Sequence, residues 1–386
     1  MRKILIFGPI VIIAFLLQSY FWVPTYEEQT KGNPSRLNEY ISASIGDASI
    51  LNPVLSADSA SSDIESMVFE GLIDRDEDLS FRGRLAESWE VYEEAYFYIN
   101  ELAAVPGAGL LEGNRMAEFL LGKLDQQEIP DPIRTTLSNI SAVEAISAQE
   151  YTTTVGRTVA GEARTSEEIR VRVKAPARIK LTLKKVDPDL FTNLSLLLGE
   201  AYFSSFRSGE YIDFGAGGDD SENVPDAETI LPAVEHNPVV VFHLRPGVRF
   251  HDGHILDADD VKFTYEAIMD PKNLSPRTSD YEPVKSVQVV EPLTGRIIYK
   301  RLYSPALGTW SIGILPQHLL NEAALTAEAN SRGEDPEDFS LRQSSFNRHP
   351  VGCGPFVFRE WKSDQYISLE RFPDYWEGPA NYQRYT

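Results

Sequence analysis

A chain of 386 residues is long enough for two or three domains with a sizeable core, and its hydrophobic content of 42% is ordinary for a globular protein. The 36 Lys and Arg residues against 58 Asp and Glu give a net charge of -22, which repels nucleic acid and anionic membrane surfaces and excludes both as partners. The single cysteine, Cys353, excludes an intramolecular disulfide and a cysteine-based zinc site.

The chain begins with a long apolar segment. Arg2 and Lys3 precede Ile4–Val23, which is 20 residues without a charge, and a helix of that length is long enough to span a bilayer. Basic residues before the segment favour export of the rest of the chain. Because the segment ends in aromatic residues before Pro24, we expect an uncleaved anchor over residues 1–24, with a cleaved signal peptide as the alternative. The polar segment 25–38 is predicted to be a linker.

A helix is predicted in the next segment. Ser62 and Glu65 have the S-x-x-E spacing of a capping box, and they precede apolar residues at helical spacing. Gly71 is predicted to end this helix.

The part of the chain between Val91 and Val239 has elements of its own. Helical spacing predicts a helix over Glu112–Leu124 and a buried helix over Leu190–Tyr202. Alternating apolar residues predict strands over Ile169–Val173 and Ile179–Leu183, which we expect to form a hairpin.

An acidic, glycine-rich loop comes next, at Gly215–Asp226. The carboxylates of Asp219, Asp220 and Glu222 could in principle bind calcium, but the loop lacks the D-x-D-x-D-G spacing. We therefore expect a solvated loop and no metal site.

The best-defined local pattern is at the centre of the chain. Strands are predicted over Val239–Leu244 and Val248–His251, separated by a Pro-Gly turn. Asp257 is predicted to cap a helix whose buried stripe includes Val261, Tyr265 and Ile268, and Asp270-Pro271 is predicted to end that helix.

Further elements are predicted near the C-terminus. Val284–Glu291 and Arg296–Leu302 have the pattern of a hairpin, and a short helix is predicted at His318–Leu320. Phe356–Trp361 and Tyr366–Phe372 are predicted to be strands joined by a four-residue turn.

Three stretches resemble, in the same order, the extracellular solute-binding proteins of peptide and nickel ABC importers (bacterial family 5). Leu51–Val91 contains F-E-G-L and L-A-E-S-W-E-V, Val239–Asp270 contains F-H-L-R-P-G-V-R-F-H-D-G, and His349–Pro379 contains P-V-G-C-G-P-F and Y-W. In the family the first phrase runs almost directly into the second, whereas here a long insertion at about 92–238 separates them.

The resemblance implies a mixed α/β fold with lobes like those of type II periplasmic binding proteins. Residues 39–75 would begin lobe I, residues 76–345 would form lobe II with the insertion, and residues 346–386 would return to lobe I. The family has a closing lobe after the Y-W phrase, whereas this chain ends at Thr386. We therefore expect an incomplete fold whose cleft has one wall, and weak ligand binding or none by the chain alone.

The function implied is that of an extracytoplasmic solute-binding component of an ABC importer. It would bind a peptide or similar small solute by hinge closure, deliver it to a permease in the membrane, and be anchored there by residues 4–23. The alternative is a membrane-anchored interaction protein that has lost solute binding and docks through its insertion. The sequence has no P-loop, H-E-x-x-H or C-x-x-C motif, so we expect neither an enzyme nor a cofactor.

The resemblance also implies where ligand is bound. It places Ala57, Asp58, Ser59 and Ala60 at the cleft, where a solvated turn is the alternative, and it places there Gly352, Cys353, Gly354 and Phe356, where a simple turn before a strand is the alternative. Cys353 and Phe356 stand where the family has Thr and Tyr, so both lack a hydroxyl that could contact ligand. We expect His251 and His254 to have a structural role in their turn.

Overall fold

The computed structural model describes residues 38–124, 129–159, 165–214 and 227–386, together with Ile13, Phe15 and Gln18 near the N-terminus. Apart from those three residues, the predicted membrane segment lies outside the described ranges, as do the predicted linker up to residue 37 and the acidic loop Gly215–Asp226. Within the described part, no helix is long and apolar enough to cross a bilayer.

Strands outnumber helices among the described residues. The strands, in chain order, are β1 (Glu39–Tyr40), β2 (Ile73–Arg75), β3 (Phe81–Gly83), β4 (Ala86–Tyr98), β5 (Ile140–Ile146), β6 (Gln149–Val159), β7 (Thr165–Ala175), β8 (Arg178–Leu183), β9 (Ile212–Asp213), β10 (Val234–Leu244), β11 (Val284–Glu291), β12 (Thr294–Tyr299), β13 (Phe356–Lys362), β14 (Tyr366–Arg371) and β15 (Arg384–Tyr385). The helices are α1 (Ser59–Val68), α2 (Gly113–Leu124), α3 (Asp131–Asn139), α4 (Leu190–Leu198), α5 (Ala227–Ile230), α6 (Ala258–Met269), α7 (Thr278–Tyr281), α8 (Gln317–Leu320) and α9 (Glu322–Arg332). The mixed α/β class predicted from the sequence is confirmed.

The largest sheet has six strands in the order β11-β12-β10-β4-β8-β5, and every neighbouring pair is antiparallel. β10 contains the predicted strand Val239–Leu244 but begins five residues earlier, because it pairs with the long strand β4 from Val234 opposite Phe97 to Leu244 opposite Ala86. The predicted hairpin of β11 and β12 is confirmed at the edge of this sheet.

The predicted insertion, residues 92–238, extends the same sheet. β5 and β8 lie beyond β4, so the inserted residues continue its hydrogen-bonded ladder. The predicted hairpin of Ile169–Val173 with Ile179–Leu183 is wrong, although both strands form. β7 pairs with β6 and β9, whereas β8 pairs with β4 and β5. The chain passes from one sheet to the other at Pro176, and the Ile99 N–H, directly after β4, donates to the carbonyl of Ala177.

Two large cores lie along this sheet. The first contains Leu72, Phe242, Ile268 and Trp310 among its buried residues. The second belongs mainly to the insertion, where α2, α3 and α4 cover β4, β5 and β8, and its buried residues include Leu120. β4 contributes to both, since Ala86 lies in the first core and Ala95 and Phe97 lie in the second.

A four-stranded sheet in the order β1-β15-β14-β13 joins the two ends of the described chain. The predicted antiparallel pair of Phe356–Trp361 and Tyr366–Phe372 is confirmed as β13 and β14. β15 is antiparallel to β14 and parallel to β1, so the segment after the linker and the last residues of the chain lie side by side.

Two local predictions are wrong. Val248–His251 makes only an isolated bridge, Arg249 with Ile255, because the chain turns again at Gly253 before a ladder can form. Helix α1 begins at Ser59, three residues before the predicted capping box, and its cap is Asp58, whose side chain accepts the Ser61 N–H at 2.7 Å. It ends at Val68 and not at Gly71.

The cap of α6 is as predicted. Asp257 accepts the Asp259 N–H, and the Asp260 side chain accepts the Asp257 N–H in return. The helix stops before Pro271, with Asp270 at its end.

Candidate functional site

A cleft of about 700 Å³ opens beside helix α1. One side is formed by α1 and the residues that come after it, and the other by the start of α7 and the loop around the short 3-10 helix Gly308–Ser311. Its lining includes Ser62, Glu65, Ser66, Phe69, Glu70, Arg84, Arg277, Asp280, Tyr281, Tyr303, Ile312 and Pro355. The cleft therefore combines aromatic surface with charged groups of both signs, as a site for a polar small solute requires.

Glu65 is the buried acid of this cleft. Its side chain is on the second turn of α1, where the residue is 6% exposed, and its Oε2 accepts the Ser56 hydroxyl at 2.7 Å. Burial raises the pKa of Glu65 to about 7, against the Ser56 hydrogen bond and the Arg277 charge, which lower it. The carboxyl is thus poised to change its ionisation near neutral pH.

A second acid, Glu70, is already paired. Its Oε1 lies 2.5 Å from Arg84 Nε, and Tyr375 and Trp376 both donate to the same carboxylate. Burial raises the pKa of Glu70 in spite of these partners. These hydrogen bonds hold Tyr375 and Trp376, near the C-terminus, against Glu70 in the lining of the cleft.

The predicted residues Ala57 to Ala60 lie at the start of α1, at the opposite end of that helix from Phe69 and Glu70. Ala57 and Ser59 are exposed, and Ala60 lines a separate cavity of about 430 Å³. The Asp58 carboxylate accepts the hydroxyls of Ser49 and Ser61, and these hydrogen bonds outweigh burial and lower its pKa. None of these four residues lines the 700 Å³ cleft.

The predicted glycine pair, Gly352 and Gly354, packs against the C-terminal end of α1, the helix that forms one side of the cleft. The Gly354 N–H donates to Val68 O at 2.9 Å, and a Cβ on Gly352 would lie 2.0 Å from the same oxygen. The close backbone approach expected of these glycines is present. Neither glycine has a left-handed φ.

The other two predicted residues of this segment are interior. Cys353 is 1% exposed, and burial raises the pKa of its thiol far above the ordinary value. Phe356 is 6% exposed at the start of β13. Their neighbour Pro355 is the residue of this segment that lines the cleft, and a direct ligand contact by Cys353 or Phe356 stays a prediction.

His251 holds the glycine segment in place. Its Nδ1 accepts the Gly352 N–H at 3.3 Å, which leaves Nε2 to donate to the Gly354 carbonyl at 3.0 Å. Burial lowers the pKa of His251 to about 4, so the ring is neutral at neutral pH. His254 instead stacks on His318, with ring centroids 3.9 Å apart. No cluster of His, Cys, Asp or Glu within the described ranges could hold a metal.

Sequence reasoning did not find several residues of the cleft. Arg277, Asp280 and Tyr281 come after the end of α6 in a polar stretch that has no periodicity, and Tyr303 and Ile312 lie in a loop. The available signal was indirect, since Glu65 and Phe69 have the four-residue spacing of one helix face, although Phe69 comes directly after the end of α1. The opposite wall is formed by residues more than 200 positions later, and only the fold shows that they are neighbours.

The family match lies in the C-terminal part of the chain. The family described as "Bacterial extracellular solute-binding proteins, family 5 Middle" matches residues 234–386. The oligopeptide-binding protein AppA of Bacillus subtilis is 39% identical over 140 residues, which cover 35% of this chain and 23% of that protein. Di/tripeptide-binding protein 4 of Pseudomonas aeruginosa is 31% identical over 154 residues, which cover 36% of this chain and 27% of that protein.

Solved structures match over more of the chain. NikZ from Campylobacter jejuni in complex with Ni(L-His) is 19% identical with a TM-score of 0.45, covering 92% of this chain and 39% of that one. AppA from Bacillus subtilis in complex with a nonapeptide is 21% identical with a TM-score of 0.46, covering 90% and 39%. The chain thus spans well under half the length of these proteins.

The names of these relatives describe binding proteins, in agreement with the expectation that this chain is not an enzyme. Two of the three phrases that carry the resemblance lie within the matched residues, around Phe242–Gly253 and Pro350–Trp376. Residues 234–386 are therefore similar to the bacterial extracellular solute-binding proteins of family 5.

Proposed function

We propose that the chain forms part of the binding wall of an ABC importer's solute-binding protein, and that the solute is a peptide or a similar small molecule. The observation that carries the proposal is the family match beside the mixed-charge, aromatic cleft. Relatives named for oligopeptides, di- and tripeptides and glutathione favour a peptide-like ligand. The action is binding and release, with no covalent step.

The lobe division is part of the proposal. The sheet that joins β1 to β13, β14 and β15 supports a lobe I made from residues 39–75 and 346–386. The six-stranded sheet supports a lobe II that includes the insertion at about 92–238. We propose that Ala57 to Ala60, at the start of α1, and Gly352 to Phe356, at its end, affect ligand binding mainly by positioning that helix.

The membrane context rests on the same family. We propose a periplasmic or otherwise extracytoplasmic location, anchorage by residues 4–23 and delivery to a membrane permease. The comparisons give no support to the alternative of an interaction protein that has lost solute binding.

Binding is tested by methyl NMR on the purified chain, with isoleucine methyls labelled. Ile73 and Ile312 line the cleft, whereas Ile179 is buried in the second core. Millimolar capped tripeptide should shift the Ile73 and Ile312 methyls in a saturable way and leave Ile179 unchanged. Equal shifts with maltose would count against a peptide-binding cleft, and saturation at micromolar peptide would contradict the weak binding or none that is expected of this chain alone.

A further inference from the structure

A second cavity, of about 510 Å³, lies between helices α6 and α9 and the segment 336–341. Of the described residues that line it, none also lines the 700 Å³ cleft beside α1. Its volume is within the range of pockets that hold small molecules, and it is smaller than a helix with its side chains needs. A small ligand is therefore the occupant that fits.

The interior of this cavity is apolar. Phe263 of α6 and Leu325 of α9 are half-buried and line it beside the buried side chains of Leu320 and Phe339. Both half-buried side chains pack on the first core from one side, which leaves their remaining surface to the cavity. A ligand with an apolar body would remove this surface from water, which favours binding.

The rim of the cavity is acidic. Four of its lining residues have a carboxylate, namely Glu266, Asp270, Glu322 and Glu337, whereas one has a positive charge, Lys272. The three glutamates are exposed, so their carboxylates are accessible from solvent. This excess of negative charge is complementary to a cation and repels an anion.

The exposed carboxylates are available to a ligand. Glu266 has a long ion pair with Lys262, at 3.6 Å, and its side chain is 57% exposed. Within the described residues, the carboxylates of Glu322 and Glu337 form no ion pair. A cation that enters the cavity would therefore meet acids that have no strong partner to displace.

The walls that carry these groups are fixed to each other. Asn273 Nδ2 donates to the Ala267 carbonyl of α6 at 2.9 Å, and its Oδ1 accepts the Leu341 N–H at 3.2 Å. Lys272 joins the same two walls, since its ammonium donates to the Glu337 carbonyl at 3.0 Å. The cavity is thus preformed, and little ordering of the protein would oppose binding.

We propose that this cavity binds a small organic cation, with its ammonium group at the acidic rim and its apolar body against Phe263 and Leu325. The apolar interior alone would accept any apolar molecule, and the rim alone would attract any cation. Together they select a molecule that has both parts. This site is separate from the cleft of the proposed function and does not depend on it.

The experiment is methyl NMR on the purified chain with leucine methyls labelled. Leu320 and Leu325 line the cavity, whereas Leu181 is buried in the second core. The probes are 4-phenylbutylammonium, 4-phenylbutanol and 4-phenylbutyrate, which share one apolar body and differ in charge. The ammonium should shift the Leu320 and Leu325 methyls in a saturable way and leave Leu181 unchanged.

The affinities of the three probes report the charge of the rim. At low ionic strength the ammonium should bind about tenfold more tightly than the alcohol, because several exposed ion pairs contribute modestly and together. The carboxylate probe should bind more weakly than the alcohol. In 1 M NaCl the difference between ammonium and alcohol should fall to about twofold, since salt screens exposed charges.

The double variant Glu266→Gln with Glu337→Gln tests the rim directly. It should bind the ammonium about fivefold more weakly and the alcohol as tightly as the unmodified chain does. Glu334→Gln is the matched control, because Glu334 is exposed three residues before Glu337 but does not line the cavity; it should retain the affinity of the unmodified chain for the ammonium.

Three results would overturn the proposal. They are the absence of a saturable shift at Leu320 and Leu325, an alcohol that binds as tightly as the ammonium at low ionic strength, and a loss of ammonium affinity in Glu334→Gln as large as that in the double variant. None of them bears on peptide binding at Ile73 and Ile312, which line the other cleft.

Discussion

At the scale of single residues, Gly352 shows how closely the last segment of the chain approaches α1. A Cβ at this position would lie 2.0 Å from Val68 O and 2.7 Å from its carbonyl carbon, and both are backbone atoms that cannot rotate away. We expect Gly352→Ala to lower the free energy of unfolding by about 2 kcal/mol, the usual effect of overpacking. Urea unfolding measures the change.

Gly46→Ala is the matched control, since nothing lies within 4 Å of a Cβ there and the residue does not have a left-handed φ. It should change the free energy of unfolding by less than about 0.5 kcal/mol. If the two variants have the same free energy of unfolding, then the backbone of Gly352 does not pack as closely against Val68 as the structure shows.

At the scale of elements, a buried acid joins β4, β10 and the loop after β8. Glu93 is 0% exposed, its Oε1 lies 2.5 Å from His236 Nδ1, and its Oε2 accepts the Asp187 N–H at 2.8 Å. Removing one partner of a buried charge leaves that charge uncompensated. His236→Phe should therefore lower the free energy of unfolding by about 3 kcal/mol, measured by urea unfolding.

The double variant His236→Phe with Glu93→Gln tests the cause. Neutralising Glu93 should recover part of the loss, so the two changes should be non-additive by about 1 kcal/mol or more. Lys285→Ala breaks a half-exposed ion pair with Glu235 in the same region and should cost less than about 1 kcal/mol. Additive effects in the double variant would argue that His236 acts through packing on Phe191 and not through the charge.

At the scale of the whole molecule, the two cores are joined through β4 but contain different helices. Leu72 belongs to the first core and Leu120, on α2, to the second, and both are fully buried. Each Leu→Ala change should destabilise its region by about 2–5 kcal/mol. Because regions with separate cores can open separately, hydrogen exchange should rise in α2, α3 and α4 for Leu120→Ala, and in α1 and α6 for Leu72→Ala.

The two variants serve as controls for each other. The amides of α6 in Leu120→Ala, and those of α4 in Leu72→Ala, should exchange at the rates of the unmodified chain. An equal rise in both regions for either variant would show that the insertion and the rest of the chain unfold as one cooperative unit.

Local sequence patterns predicted the helices and strands well, but they did not predict which strands pair with each other. The Asp257 cap and the stop at Pro271 depend on neighbouring residues only, and the structure has both. The sequence pattern predicts the cap of α1 at Ser62, four residues after the cap that the structure has, Asp58. The structure uses Asp58, whose carboxylate also accepts the Ser49 hydroxyl from outside the helix.

By itself, the sequence determined the mixed α/β class, the helices and strands with strong periodicity, and the similarity of residues 234–386 to solute-binding proteins of family 5. These depend on residues close together in the chain, where hydrophobic period and capping chemistry act. Only the tertiary structure decided that β7 and β8 enter different sheets, and that Glu65 and Arg277 face one cleft. Strand pairing and cavity lining are contacts between residues far apart in sequence, and their geometry depends on how the whole chain packs.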